Sequence, residues 1–137
     1  MIPKLIHYCW FGRGEMPELA RDCIASWRKL LPDYELMLWN EDNFDVDSLK
    51  FTRQAYAKRK FAFVTDYVRL YALKHYGGLY MDTDVEVVCS LDPLLGLPAF
   101  TGFECDDLLP SALMGSVRGA RWLDLLLDYY TDKPFVR

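Results

Sequence analysis

FAFVTDYVRLYALKHYGGLYMDTDVEV, residues 61–87, decides how this chain folds. Wound at 100° per residue, its first part (61–76) is apolar or aromatic in almost every direction, interrupted only by Asp66, Arg69, Lys74 and His75. A helix apolar all round belongs inside a core. Gly77-Gly78 then ends it, as glycines do after a helix C-terminus. In LYMDTDVEVV (79–88), Leu79, Met81, Thr83, Val85 and Val87 alternate with Asp82, Asp84 and Glu86, which predicts a strand with one acidic face.

Working outward, KLIHYCWF (4–11) reads as a strand ending at the Gly12-Arg13-Gly14 turn. After Pro17, Leu19/Ala20, Cys23/Ile24, Trp27 and Leu30/Leu31 repeat at helical spacing until Pro32. YELMLW (34–39) is a second strand, and NEDNFDVDSLK (40–50) a polar, acidic connection. The stretch 50–60 carries Lys50, Arg53, Lys58, Arg59 and Lys60. Downstream, Asp92-Pro93 turns the chain, AFTGFE (99–104) and ALMGSV (112–117) read as strands, and RWLDLLLDYY (121–130) as a last helix. Strands alternating with helices predict a single-domain α/β sandwich with a largely parallel sheet.

The chain has 137 residues, 52% hydrophobic and 15% aromatic, which excludes a disordered linker and gives one domain a substantial core. A net charge of −4 argues against binding nucleic acid through bulk charge. No stretch approaches the ~20 apolar residues that span a bilayer, and MIPKLIHYCWFGRG does not read as a signal peptide. Cys9, Cys23, Cys89 and Cys105 form no C-x-x-C pair, so reduced thiols in a cytoplasmic protein are expected.

Four groups of residues can carry chemistry. Asp82-Thr83-Asp84 offers two carboxylates two residues apart at the end of an apolar strand, suited to Mg²⁺ or Mn²⁺ shared with a substrate phosphate. A second D-x-D, Asp45-Val46-Asp47, lies in the polar connection and reads as a solvated loop or helix cap. Asp66 and Arg69 are neighbours on the core helix, on the side of Ala62, Leu70 and Leu73. They are either an intrahelical ion pair or ligand contacts kept inside an apolar helix. His7-Tyr8-Cys9-Trp10 ends the first strand, where the Trp10 ring belongs either to the core or beneath a nucleobase, and His7 reads as structural. The basic run Lys58-Arg59-Lys60 is a solvated face or an attractor for a diphosphate.

Together, IPKLIHYCWFG, LPDYELMLWNEDNF and FAFVTDYVRLYALKHYGGLYMDTDVEV resemble the DXD-containing glycosyltransferases of family 32, over about residues 2–104. That family includes bacterial capsular-polysaccharide transferases and fungal initiating mannosyltransferases, and is distantly similar to the glucosyltransferase domain of large clostridial toxins. The resemblance implies a GT-A fold, a Rossmann-like α/β/α sandwich, and retaining transfer of a hexose from a UDP- or GDP-sugar with Mn²⁺ or Mg²⁺. The saccharide acceptor it implies belongs to capsule or cell-surface polysaccharide, with the enzyme cytoplasmic or peripheral at the inner membrane face.

By position, Trp10, Tyr80 and Asp82 match nucleotide contacts, and Asp66 and Arg69 match donor-sugar contacts. Asp82 and Asp84 match the metal-binding motif, with no catalytic base assigned. Family domains usually run well past 200 residues, so a chain carrying the donor half, with an exposed apolar face that could pair it with a second copy, is expected. Two other readings fit parts of the pattern. One is a nucleotide-sugar-binding remnant without turnover. The other is a haloacid-dehalogenase-like phosphatase with Asp82 as nucleophile and Asp84 as acid–base. That class places its D-x-D strand first and needs a downstream lysine, whereas here 78 residues precede the strand and only Lys133 follows.

Overall fold

The computed structural model describes residues 1–101 and 112–136. Five strands are described, β1 (Leu5–Cys9), β2 (Glu35–Trp39), β3 (Gly78–Met81), β4 (Ala99–Thr101) and β5 (Leu113–Ser116). The α-helices are α1 (Glu18–Leu30), α2 (Lys50–Ala57), α3 (Phe61–Tyr76) and α4 (Arg121–Asp128). Sheet order is β2-β1-β3-β5-β4. β1 pairs parallel with β2 and with β3, whereas β5 runs antiparallel between β3 and β4. Four of the five strands therefore point the same way, and β5 is the reversed one. Residues 102–104 of the expected strand, and Cys105, lie outside the described residues.

Side chains alternate across the sheet as a strand's period of two requires. Ile6, Tyr8, Leu79 and Met81 pack with Ile24, Trp27 and Leu31 of the α1 side. Cys9, Trp39 and Tyr80 pack with Val64, Val68, Leu73 and Leu123 on the opposite side. The result is three layers, α1 on one face and α2, α3 and α4 on the other. The all-round apolar character of α3 is explained by its neighbours: it contacts the sheet through β1, β3 and β5, and α2 and α4 flank it.

The basic stretch 50–60, to which the sequence assigns no element, contains α2, whose Phe51, Thr52 and Ala55 face inward. One expectation needs correcting. The strand through the acidic motif stops at Met81, so Asp82, Asp84 and Glu86 do not share a strand face. The Val85 amide donates to the Asp82 carbonyl at 3.1 Å, closing a turn over Asp82–Val85. Beyond it the chain is taken over by α1: Trp27 Nε1–H donates to the Val85 carbonyl, and the Val87 amide to Ser26 Oγ. Asp and Thr bond local backbone readily, which favours a turn where alternation alone suggests more strand.

Gly78 begins β3 at φ +111, and a Cβ there would come 2.5 Å from the Leu5 carbonyl oxygen. Only glycine lets the strand enter beside β1 at this point. Next to it, His7 is fully buried. Its Nε2 lies 2.8 Å from the Gly77 carbonyl, while Trp39 Nε1–H donates to His7 Nδ1 at 3.0 Å. This pattern fixes the neutral tautomer protonated at Nε2.

Burial holds the His7 pKa below its ordinary value, against the opposing effect of the Gly77 bond. The stability this neutral form confers is complete above about pH 6.5 and is lost as pH falls towards the lowered folded value, because only the unfolded chain takes the proton there. The stability gap between wild type and His7→Asn in urea denaturation is therefore expected to narrow from pH 7.5 to pH 5.5. A gap independent of pH would contradict the buried neutral imidazole.

Cys9, Cys23 and Cys89 are free thiols. Among the described residues, no helix is long and apolar enough to cross a membrane.

Candidate active site

Parallel strands present their carboxyl ends on one edge, and ligands of open α/β sheets bind there. Here β1 delivers Trp10 to that edge, β2 delivers Asn40 and Glu41, and β3 delivers Asp82. α3 runs alongside and turns Ala62, Thr65, Asp66 and Arg69, one helical stripe, towards the same place. The cleft between them measures about 420 Å³. Its walls include Trp10, Phe11, Phe61, the α3 stripe, Tyr80, Asp82 and Asp84, so the six residues matched to the family's site all line it.

Arg69 is its electrostatic centre. The side chain is 7% exposed, Nη2 lies 3.1 Å from Asp66 Oδ1 and 3.8 Å from Asp82 Oδ1, and the guanidinium sits 5.0 Å from the Tyr80 ring centroid. Tyr80, 1% exposed, donates its hydroxyl to Asp82 Oδ1 at 2.7 Å. Tyr80 thus reaches the cleft chiefly by orienting Asp82. The helix pair and the D-x-D motif, read separately in the sequence, form one network.

Burial raises the carboxyl pKa of both Asp66 and Asp82 above the ordinary range, even though Arg69 works in the other direction on each. Asp84 is exposed and makes no hydrogen bond or ion pair among the described residues. No cluster of three or more His, Cys, Asp or Glu placed to hold a metal occurs among those residues.

Trp10 is half-buried, and its indole N–H donates to the Gly14 carbonyl at 2.8 Å. With that donor engaged, it offers the cleft an apolar ring. Cys9, which also lines the cleft, has its thiol pushed up to about 12 by burial, so it is present as a protonated thiol. The sequence sets Cys9 beside Trp10 and Thr65 beside Asp66 but gives neither a role, and it does not single out Phe61. The signal for Thr65 is its position one turn before Arg69 on the stripe that begins at Ala62. Lys58, Arg59 and Lys60 are exposed at the α2–α3 turn and do not line the cleft.

A second cleft of about 480 Å³ lies across the same Asp66 and Arg69, walled by Leu70, Met114, Leu126, Tyr129 and Tyr130. On α4 and just beyond it, Leu125 and Tyr129 are 65% and 62% exposed.

Residues 17–101 match the family described as glycosyltransferase sugar-binding region containing DXD motif. The chain belongs to this family. Among curated proteins, this DXD family member is 32% identical over 126 residues to inositol phosphoceramide mannosyltransferase 3 of Schizosaccharomyces pombe. That match covers 89% of the chain and 35% of the relative. It is also 31% identical over 121 residues to mannosyl phosphorylinositol ceramide synthase SUR1 of Saccharomyces cerevisiae, covering 85% of the chain and 31% of the relative. The chain thus spans about a third of the length of these two curated relatives.

Among solved structures, PaToxG glycosyltransferase superposes with a TM-score of 0.74 at 20% identity, covering 93% of this chain and 59% of that one. The family and the fold agree: this is a GT-A type α/β sandwich whose sheet is mostly parallel at its core.

Proposed function

We propose that this DXD family member holds the donor of a metal-dependent glycosyltransferase, which moves a hexose from a nucleotide-diphosphate sugar to a hydroxyl acceptor. The observation that carries the reading is the convergence of Trp10, Asp66, Arg69, Tyr80, Asp82 and Asp84, from β1, α3 and β3, on one cleft at the carboxyl edge of the sheet. The names of the two yeast relatives favour mannose as the hexose and an inositol phosphoceramide as acceptor, in preference to a capsular saccharide.

The residues fit a hard divalent cation. Asp82 and Asp84 offer only oxygen donors, and two carboxylates without a further protein cluster suit Mg²⁺ or Mn²⁺ that takes its other ligands from a diphosphate and water. Such an ion supplies charge neutralisation at the leaving diphosphate.

The chain's own groups do the rest. Trp10 gives the nucleobase an apolar platform. The Asp66 carboxylate accepts hydrogen bonds from sugar hydroxyls, and Arg69, fixed between Asp66 and Asp82, donates to sugar or phosphate oxygens. Tyr80 keeps Asp82 pointed at the cleft. The second cleft shares the Asp66–Arg69 wall and gives an acceptor hydroxyl an approach to the held sugar.

Donor turnover tests this. Incubation with Mn²⁺ and each of UDP-glucose, UDP-galactose and GDP-mannose, with release of UDP or GDP followed by chromatography, is expected to show release from one donor. Nucleotide binding without release from any donor would replace the transferase with a nucleotide-sugar-binding reading. Phosphate release from a simple phosphomonoester would point to the phosphatase class.

A further inference from the structure

The loop that carries Trp10 is secured at both ends. At its start, the Trp10 amide donates to the Trp39 carbonyl at 3.0 Å. Further along, the Gly12 amide donates to Glu41 Oε2 at 2.6 Å, and the same oxygen accepts the Tyr56 hydroxyl at 2.8 Å. Glu41 is only 12% exposed, its Oε1 is buried without a hydrogen bond, and Arg13 Nε stands 3.7 Å away. Burial alone would raise its pKa, but the Gly12 bond, with Tyr56 and Arg13, outweighs it and keeps the carboxyl below the ordinary range. An ionised carboxylate in such a place is costly unless its bonds are kept.

Those bonds tie together three segments that surround the nucleotide side of the cleft. Gly12 sits at φ +97 with the Phe61 ring where its side chain would be, a Cβ there falling 2.4 Å from Phe61. Phe61 lines the cleft and packs on Tyr56, their ring centroids 5.4 Å apart. Glu41 therefore joins the β1 loop, the β2 loop and α2 without touching the cleft itself. Its position follows directly from β2, two residues after Trp39.

We propose that Glu41 is a positioning residue for the nucleotide: through Gly12 and Tyr56 it fixes the loop that sets the Trp10 ring in the cleft. This rests on the donor-site reading above. It goes beyond that reading in assigning the base-binding geometry to a carboxylate outside the site.

The test uses Glu41→Ala, Glu41→Gln and Tyr56→Phe, each titrated calorimetrically with UDP and GDP in Mn²⁺. The indole N–H signals are followed by ¹⁵N–¹H correlation spectra and assigned with Trp10→Phe. Glu41→Ala is expected to weaken nucleotide binding about tenfold, the scale of losing an outer-shell support. It should move the Trp10 indole signal, while those of Trp27, bonded to the Val85 carbonyl, and Trp39, bonded to His7, stay in place. Glu41→Gln retains an acceptor oxygen and should recover most of the affinity. Tyr56→Phe removes one of the two bonds and should show a smaller change of the same kind.

Affinity within twofold of wild type together with an unmoved Trp10 signal in Glu41→Ala would overturn the proposal. If Glu41→Ala does not fold, Tyr56→Phe decides: a Trp10-selective shift with weaker binding supports the role, and no change in either refutes it. Should the wild type bind neither nucleotide, the donor-site reading fails and the nucleotide-positioning role falls with it. The indole spectra would then report only whether the clamp on the loop exists.

Discussion

Replacing Arg69 by methionine is expected to cost the fold about 3 kcal/mol, the lower end for removing one partner of a buried ion pair, and to abolish donor binding. Methionine retains bulk in the core but leaves Asp66 and Asp82 facing one another with no cation between them. Each of those carboxyls already stands above the ordinary range because of burial, with Asp82 lifting Asp66 further and Asp84 lifting Asp82.

The sign follows from linkage. A carboxyl with a raised folded pKa favours the fold below its unfolded value, near 3.9, and that contribution is lost as pH rises through the folded value. At neutral pH the two ionised groups therefore work against folding, opposed by Arg69 at both and by the Tyr80 hydroxyl at Asp82. The low end of the range is appropriate because Asp66 and Asp82 remain 39% and 33% exposed, so water screens part of the repulsion. Urea denaturation at pH 7 gives the comparison. A loss under 1 kcal/mol would mean that the network around Arg69 is not a structural element of the cleft.

The second large effect separates binding from stability. Asp84→Asn is expected to leave the free protein within about 0.5 kcal/mol of wild type, as for a surface substitution that breaks no bond. The same change removes one of the two carboxylates of the motif and halves the negative charge that the turn offers a cation. The Mn²⁺-dependent part of nucleotide stabilisation should vanish, about 2.7 kcal/mol at a hundredfold excess over Kd. Arg69→Met would thus fail through the fold and Asp84→Asn through the ligand. Retained metal-dependent stabilisation in Asp84→Asn would remove Asp84 from the proposed ligand set.

How far the chain was legible differs from segment to segment, for physical reasons. α3 was visible because sixteen residues with hardly a polar direction, closed by two glycines, have few other uses. α1 was visible from its two-sided pattern. α2 was not, because a helix of eight residues shows only two turns of periodicity, and its inward Phe51 and Ala55 are set among lysine, arginine and glutamine. The end of β3 was overrun because Val85 and Val87 continue the alternation. What stops the strand is α1, whose Trp27 and Ser26 capture that backbone from 58 and 61 residues away. The reversed direction of β5 has no signature in alternation, since facing residues repeat every two positions whichever way a strand runs.

The site divides along the same line. Asp66 and Arg69 stood out as charges inside an apolar helix, and Asp82 and Asp84 as a spaced pair after a strand. That Arg69 reaches both Asp66 and Asp82 is a long-range fact of how α3 lies beside β3. Glu41 gave no signal because its principal partner is a backbone amide 29 residues away, an interaction that no side-chain pattern encodes.

The measurement that bears most directly on the central claim is a thermal-shift titration of the wild-type chain with UDP and with GDP, each in the presence and absence of Mn²⁺. A ligand that binds only the folded state raises its stability by RT ln(1 + [L]/Kd), so the midpoint reports binding without the need for an acceptor. A rise with one nucleotide that requires Mn²⁺ is the predicted result, and it also identifies the base of the donor. No rise with either nucleotide, or an equal rise without the metal, would contradict a metal-dependent donor site built on Asp82 and Asp84.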